Sequence, residues 1–154
     1  MAIPFSIRIP FIEQIGCELQ RFADGEAEIT LDVNETHTNS FGVAHGGLLM
    51  TLLDVAMAHA ARSLTIGLPN GGPGLVTIEM KTTFMRPGLG RLSAQGSVMH
   101  STASLAFCEG KVLDKRGQVC AHATATFKYL KALPVGDREL RPAAVPRIEG
   151  QGSD

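Results

Sequence analysis

Between residues 26 and 33 apolar and polar side chains alternate without a break. Ala27, Ile29, Leu31 and Val33 take one face, and Glu26, Glu28, Thr30 and Asp32 take the other. A period of two predicts a half-buried strand. Upstream, Pro10 suits a first helical position and Gly16 suits a stop, so a short helix is predicted between them. Residues 34–45 carry Asn, Thr, Ser and Gly and read as a loop. From Gly46 or Gly47 to about residue 65 the pattern changes to Leu, Met and Ala, closed by Gly67 and Pro69. That predicts a helix about 30 Å long. It is apolar almost all the way round, so the rest of the chain or a partner must wrap it. After a Gly/Pro-rich loop over 68–74, four strand-like segments follow: 75–85, 91–100, 103–114 and 118–130. Short turns at 87–90 and 114–117 join two of the pairs, which predicts antiparallel neighbours. The expected class is α+β, with one antiparallel sheet wrapped around a long central helix.

Composition narrows the function more than the fold. At 154 residues the chain fits one domain, 44% hydrophobic and 19% charged. Fourteen Lys and Arg against 15 Asp and Glu give a formal charge of -1, without the basic excess of a nucleic-acid binder. The N-terminus lacks the apolar stretch and cleavage site of a secretory signal, and the expected location is cytoplasmic. The longest apolar run, 46–61, is interrupted by Asp54 and His59 and falls short of the ~20 residues that span a bilayer. Cys17, Cys108 and Cys120 are scattered and odd in number, which reads as apolar packing in a reducing compartment. Residues 1–130 are expected to form the single domain. Residues 131–154, with Pro134, Pro142 and Pro146 among charges, are expected to be a weakly structured tail.

Asp54 is the residue that calls for explanation. It lies mid-helix among Leu52, Leu53, Val55, Ala56 and Met57, where an ionised carboxylate needs a partner or a function. Arg62 is two turns away, too far for an i,i+4 pair, and His59 points around the helix. Upstream, His45-Gly46-Gly47 opens the same helix, where unpaired backbone N–H groups and the positive end of the helix dipole coincide. Two glycines let a substrate oxygen approach those groups, the arrangement of an oxyanion hole. His45 itself suits a helix cap equally well. The chain has no G-x-S-x-G elbow, no H-E-x-x-H and no P-loop, so serine hydrolase, zinc and nucleotide chemistries are unsupported, and no metal or cofactor is called for. The Gly71–Gly74 stretch reads as a turn rather than a phosphate loop.

Asn39, Gly42, His45, Gly46 and Gly47 followed by Asp54 resemble, in residue type and spacing, the central signature of the PaaI-like hotdog-fold acyl-CoA thioesterases. The stretch LVTIEMKTTFMRP and the G-x-L-x-A-x-G strand after it look alike too, so the resemblance covers roughly residues 9–130. It implies a hotdog thioesterase hydrolysing an aromatic or medium-chain acyl-CoA. Asp54 would be general base or nucleophile, and the N–H of Gly46 or Gly47 would polarise the carbonyl. Asn39 and His45 would position water or thioester, and Thr77 would bring a hydroxyl near the reacting centre. The coenzyme A arm would run past Phe84 and the segment His100, Ser101, Thr102, Ala103, Ser104. In the family that segment commonly carries Gly and a basic residue where this chain has Thr102 and Ala103, so Arg86, Arg91, Lys111 and Lys128 are candidate replacements for the cation. Met50, Met57, Met80 and Met85 are candidates for an adaptable acyl pocket, with ordinary core as the plainer reading. The resemblance further implies a homo-oligomer, a dimer or a dimer of dimers (a homotetramer), with each site shared between chains. Two other readings remain on the residues. Asp32-x-Asn34-x-x-His37 fits the D-x-N-x-x-H string of hotdog hydratases and dehydratases, and a non-catalytic acyl-CoA-binding module needs no carboxylate chemistry at all.

Overall fold

A computed structural model describes residues 1–131, and the tail expected over 131–154 lies outside them apart from Lys131. The elements are helix α1 (Pro10–Ile15), strands β1 (Glu18–Ala23) and β2 (Glu26–Asp32), helix α2 (Gly46–Ser63), and strands β3 (Gly74–Phe84), β4 (Arg91–Ser101), β5 (Leu105–Leu113) and β6 (Val119–Leu130). All pairings are antiparallel, in the order β1-β2-β4-β5-β6-β3. The class is α+β as the residue pattern implies: one sheet curled around α2, the hotdog arrangement.

Strand β1 was not anticipated. Its ELQRFA sequence buries only Leu19 fully, too weak a pattern to stand out. The signal was the turn: Asp24 and Gly25 both adopt positive φ (56° and 78°), the conformation of a two-residue hairpin that Asp-Gly favours. Elsewhere the differences are at ends. β5 begins at Leu105 rather than 103, and α2 stops at Ser63, two residues early.

Helix α2 lies against the concave face of the sheet, where Ala27, Ile29, Leu31, Leu92, Ala94, Val112, Cys108, Ala123 and Phe127 meet Leu49, Leu52, Leu53, Ala56, Met57 and Ala60. Its close approach depends on Gly96 and Gly110, register partners on β4 and β5. A Cβ on Gly96 would stand 2.6 Å from the backbone of Ala56 and Met57, so any side chain there would push the helix off the sheet. The helix is not wrapped on every side. Gly47 and Met50 are exposed and Thr51, Asp54 and Ala58 half-buried, a stripe at helical spacing that the sheet leaves open. Of the four methionines, Met57 is wholly core and Met80 packs against it, whereas Met50 and Met85 are exposed. No helix among the described residues is long and apolar enough to cross a membrane.

Candidate active site

The loop before α2 is held from several directions. His45 N–H donates to His37 O and Ala44 N–H to Gly88 O, at 2.9 Å each. Asn39 Oδ1 accepts the N–H groups of Phe41 (2.9 Å) and Val43 (3.4 Å), so its carbonyl is engaged in closing the loop. His45 caps the helix: its Nδ1 accepts the Gly47 N–H at 2.8 Å, which puts the proton of the neutral ring on Nε2. Leu48 and Leu49 donate to His45 O. The first-turn N–H left without an acceptor among the described residues is therefore that of Gly46. The Phe84 ring lies 3.5 Å from where a Gly46 Cβ would be, and the two border a cleft of 350 Å³ with Asn39, Leu49, Met85 and Arg86. Leu49 was not anticipated as a wall of this cleft, because only sheet closure brings it there; Met85, one of the four methionines weighed for an acyl pocket, lines it as well.

Asp54 is half-buried, not sealed in the core. Thr77 Oγ1 donates to Asp54 Oδ1 at 2.7 Å, leaving Oδ2 without a partner among the described residues. The register of β3 against β6 slips between Thr77 and Glu79, a bulge at the point where Thr77 meets the helix. This strand is one of the two edges of the sheet, and Val76 (39%), Ile78 (54%) and Phe84 (48%) are exposed along it.

These groups do not converge within one chain. Gly46 and Asp54 are eight residues apart on α2, about 12 Å along its axis. Phe84 pairs with Ala121 at one end of β6, while Gly74 pairs with Leu130 at the other, about 30 Å away. His100, Ser101, Thr102 and Ser104 belong to the β4–β5 hairpin, whose Ser104 O accepts Tyr129 N–H at that far end. They are exposed. His100 stacks on Phe107, and the Thr102 hydroxyl oxygen accepts the Leu105 N–H at 3.0 Å. One chain thus presents the Gly46–Phe84 cleft, the Asp54–Thr77 pair and the hairpin at three separate places.

Other candidates are structural. In the Asp32-x-Asn34-x-x-His37 string, Asp32 pairs with Arg91 at 2.9 Å. His37 is buried, with Nδ1 accepting Asn34 N–H (3.0 Å) and Nε2 bonded to Ile15 O (2.8 Å), so both ring nitrogens are engaged in holding the loop. Burial pushes the Cys17 thiol up to about 11 and the Cys108 thiol to about 12, which removes both as thiolate nucleophiles at neutral pH. All three cysteines are unpaired.

Residues 41–121, more than half the chain, match the thioesterase superfamily. A Saccharolobus solfataricus protein with a provisional assignment as an esterase is 27% identical over 114 residues, 73% of either chain. Human acyl-coenzyme A thioesterase 13 is 35% identical over 65 residues, 42% of this chain and 43% of the human one. Among solved structures, the phenylacetic acid degradation protein PaaI of Thermus thermophilus superposes with a TM-score of 0.70 at 29% identity, over 79% of this chain and 100% of that one. A sheet curled around one helix, a carboxylate on its open face and a free glycine N–H at its start are thus met in a chain that belongs to the thioesterase superfamily, as a PaaI-like hotdog thioester hydrolase.

Proposed function

We propose that the protein hydrolyses acyl-CoA thioesters in a site shared by two chains, with Asp54 of one and Gly46 of the other acting on one carbonyl. The observation that carries the reading is the pair of unengaged groups, Asp54 Oδ2 beside a Thr77-anchored Oδ1 and the Gly46 N–H, set about 12 Å apart on one helix. A carbonyl carbon and its oxygen need both within about 3 Å. Antiparallel pairing of β3 with its own copy would reverse one chain against the other. The helix start and Phe84 of one would then approach Asp54 and Thr77 of its partner. The long edge strand with its exposed apolar residues favours such pairing.

In that site the thioester oxygen accepts the Gly46 N–H, helped by the helix dipole. Asp54 takes a proton from water as it attacks the carbonyl carbon, or attacks the carbon itself. The tetrahedral intermediate collapses with cleavage of the C–S bond, and the thiolate leaves and is protonated; the acid is released at once where water attacked, or after water cleaves the acyl–Asp54 anhydride where the carboxylate did. Thr77 holds the carboxylate in place through Oδ1. Met50 and Ile78, exposed one turn from Asp54 and next to Thr77, suit an aromatic or medium-chain acyl group. Phe84 flanks the carrier arm, and the partner's hairpin, with its His100, Ser101, Thr102 and Ser104 equivalents, closes over it.

The test is thiol release from phenylacetyl-, benzoyl-, hexanoyl-, decanoyl- and palmitoyl-CoA, with Asp54→Asn alongside. Turnover on part of the panel that falls on the order of 10² to 10⁴-fold in the folded variant is expected. Undiminished turnover in Asp54→Asn would remove the carboxylate from the mechanism.

A further inference from the structure

An acyl carrier is anionic, whereas the chain carries a formal charge of -1 and offers no attractive field as a whole. Recognition of a phosphate must therefore be local. Among the cations suggested by the amino-acid pattern, the fold separates one from the rest. Arg91 is engaged by Asp32 at 2.9 Å, by Glu18 at 3.8 Å and by the Thr30 hydroxyl. Lys111 shares a groove on the sheet with Glu26, Glu28 and Glu109. Lys128 alternates with the fully buried Phe127 on β6, which puts it on the face of the sheet turned away from α2. Arg86 alone of the four lines the cleft beside Gly46, Phe84 and Asn39.

Arg86 is also set up to hold a ligand. Its Nη1 donates to Val119 O at 2.8 Å, and its own N–H donates to Cys120 O, so both backbone and guanidinium are tied to the start of β6. It has no carboxylate partner among the described residues. Asp114, the acidic group nearby, has its Oδ1 occupied by the Arg116 and Gln118 N–H groups. A planar fork anchored at one nitrogen with its remaining donors open is preorganised for a phosphate.

Resting on the reading of the cleft as the carrier channel, we propose that Arg86 binds the phosphate of a phosphopantetheine arm and thereby selects phosphorylated carriers over bare pantetheine thioesters. Coenzyme A and acyl carrier protein share that group. The experiment measures thiol release from one acyl group on coenzyme A, on acyl carrier protein and on unphosphorylated pantetheine, in wild type, Arg86→Gln and Arg86→Lys. In wild type, kcat/KM on the phosphorylated carriers is expected to exceed that on pantetheine. Arg86→Gln shrinks that ratio about tenfold or more through KM, and Arg86→Lys recovers part of it. Wild-type KM for the coenzyme A thioester rises with salt, and this rise flattens in Arg86→Gln. Dependence on Arg86 with one phosphorylated carrier only names the source of the phosphate. An unchanged ratio in Arg86→Gln, or an equal loss on pantetheine, overturns the assignment while leaving thioester hydrolysis intact. A folded wild type inert on all three carriers overturns both readings together.

Discussion

Replacing Gly46 by proline isolates the oxyanion donor with little disturbance to the fold. Proline at the first position of a helix is favoured, because the N–H it lacks has no acceptor inside the helix. The Gly46 N–H has none among the described residues either, so no hydrogen bond is lost. The residue before a proline is driven to extended backbone, and His45 already has φ -60° and ψ 138°. A Cβ at position 46 meets the Phe84 ring at 3.5 Å, an ordinary van der Waals distance. Stability should therefore change by less than about 1 kcal/mol, while loss of the donor lowers kcat by roughly 10² to 10³-fold. Gly46→Ala places the same Cβ against Phe84 but keeps the N–H, and separates crowding from loss of the donor. The assay is thiol release at saturating acyl-CoA, with thermal unfolding of each variant. A folded Gly46→Pro protein that keeps more than half of wild-type kcat would falsify the assignment of this N–H.

The shared site makes a sharper prediction about mixtures: Asp54→Ala and Gly46→Pro, each inactive alone, should regain about a quarter of wild-type turnover after subunit exchange, since half the dimers are mixed and each has one intact site. A mixture as inactive as its parts points instead to sites within single chains. His59 predicts an acid-sensitive fold. It is buried between Phe5 and Phe22, and burial lowers its pKa to about 4, against the Val55 carbonyl bond and with help from Arg62. Because the folded-state pKa lies below the unfolded value of 6.5, its penalty is absent above about pH 6.5 and grows as pH falls toward 4, to roughly 3 kcal/mol. Urea midpoints from pH 7 to 4.5 should fall less steeply for His59→Leu than for wild type, and equal slopes would count against it. Gly96→Ala, whose Cβ meets the α2 backbone, should destabilise by on the order of 3 kcal/mol, a Tm drop of roughly 6–12 °C. Gly67→Ala, with nothing within 4 Å, should stay within about 0.5 kcal/mol.

Much of this protein is legible without coordinates, because side-chain periodicity is local. The alternation from Glu26 to Asp32, the apolar run of α2 and the last four strands follow from neighbours in the chain, and so does the oddity of Asp54 among leucines. β1 escaped notice because a strand with one fully buried residue is made by its partner more than by its own pattern. Whether Gly46 or Gly47 keeps a free N–H was open until the His45 ring was seen to turn back onto Gly47. The resemblance pointed to Thr77, but its hydrogen bond to Asp54 depended on β3 crossing from the helix to the far edge of the sheet, beside β6, with a bulge at Thr77. The same crossing places Phe84 and the His100–Ser104 hairpin at opposite ends of the sheet, and sets Arg86, alone of the four cations weighed, in the cleft. Pairing between residues tens of positions apart is decided by how whole faces are buried together, and no window of sequence contains that information.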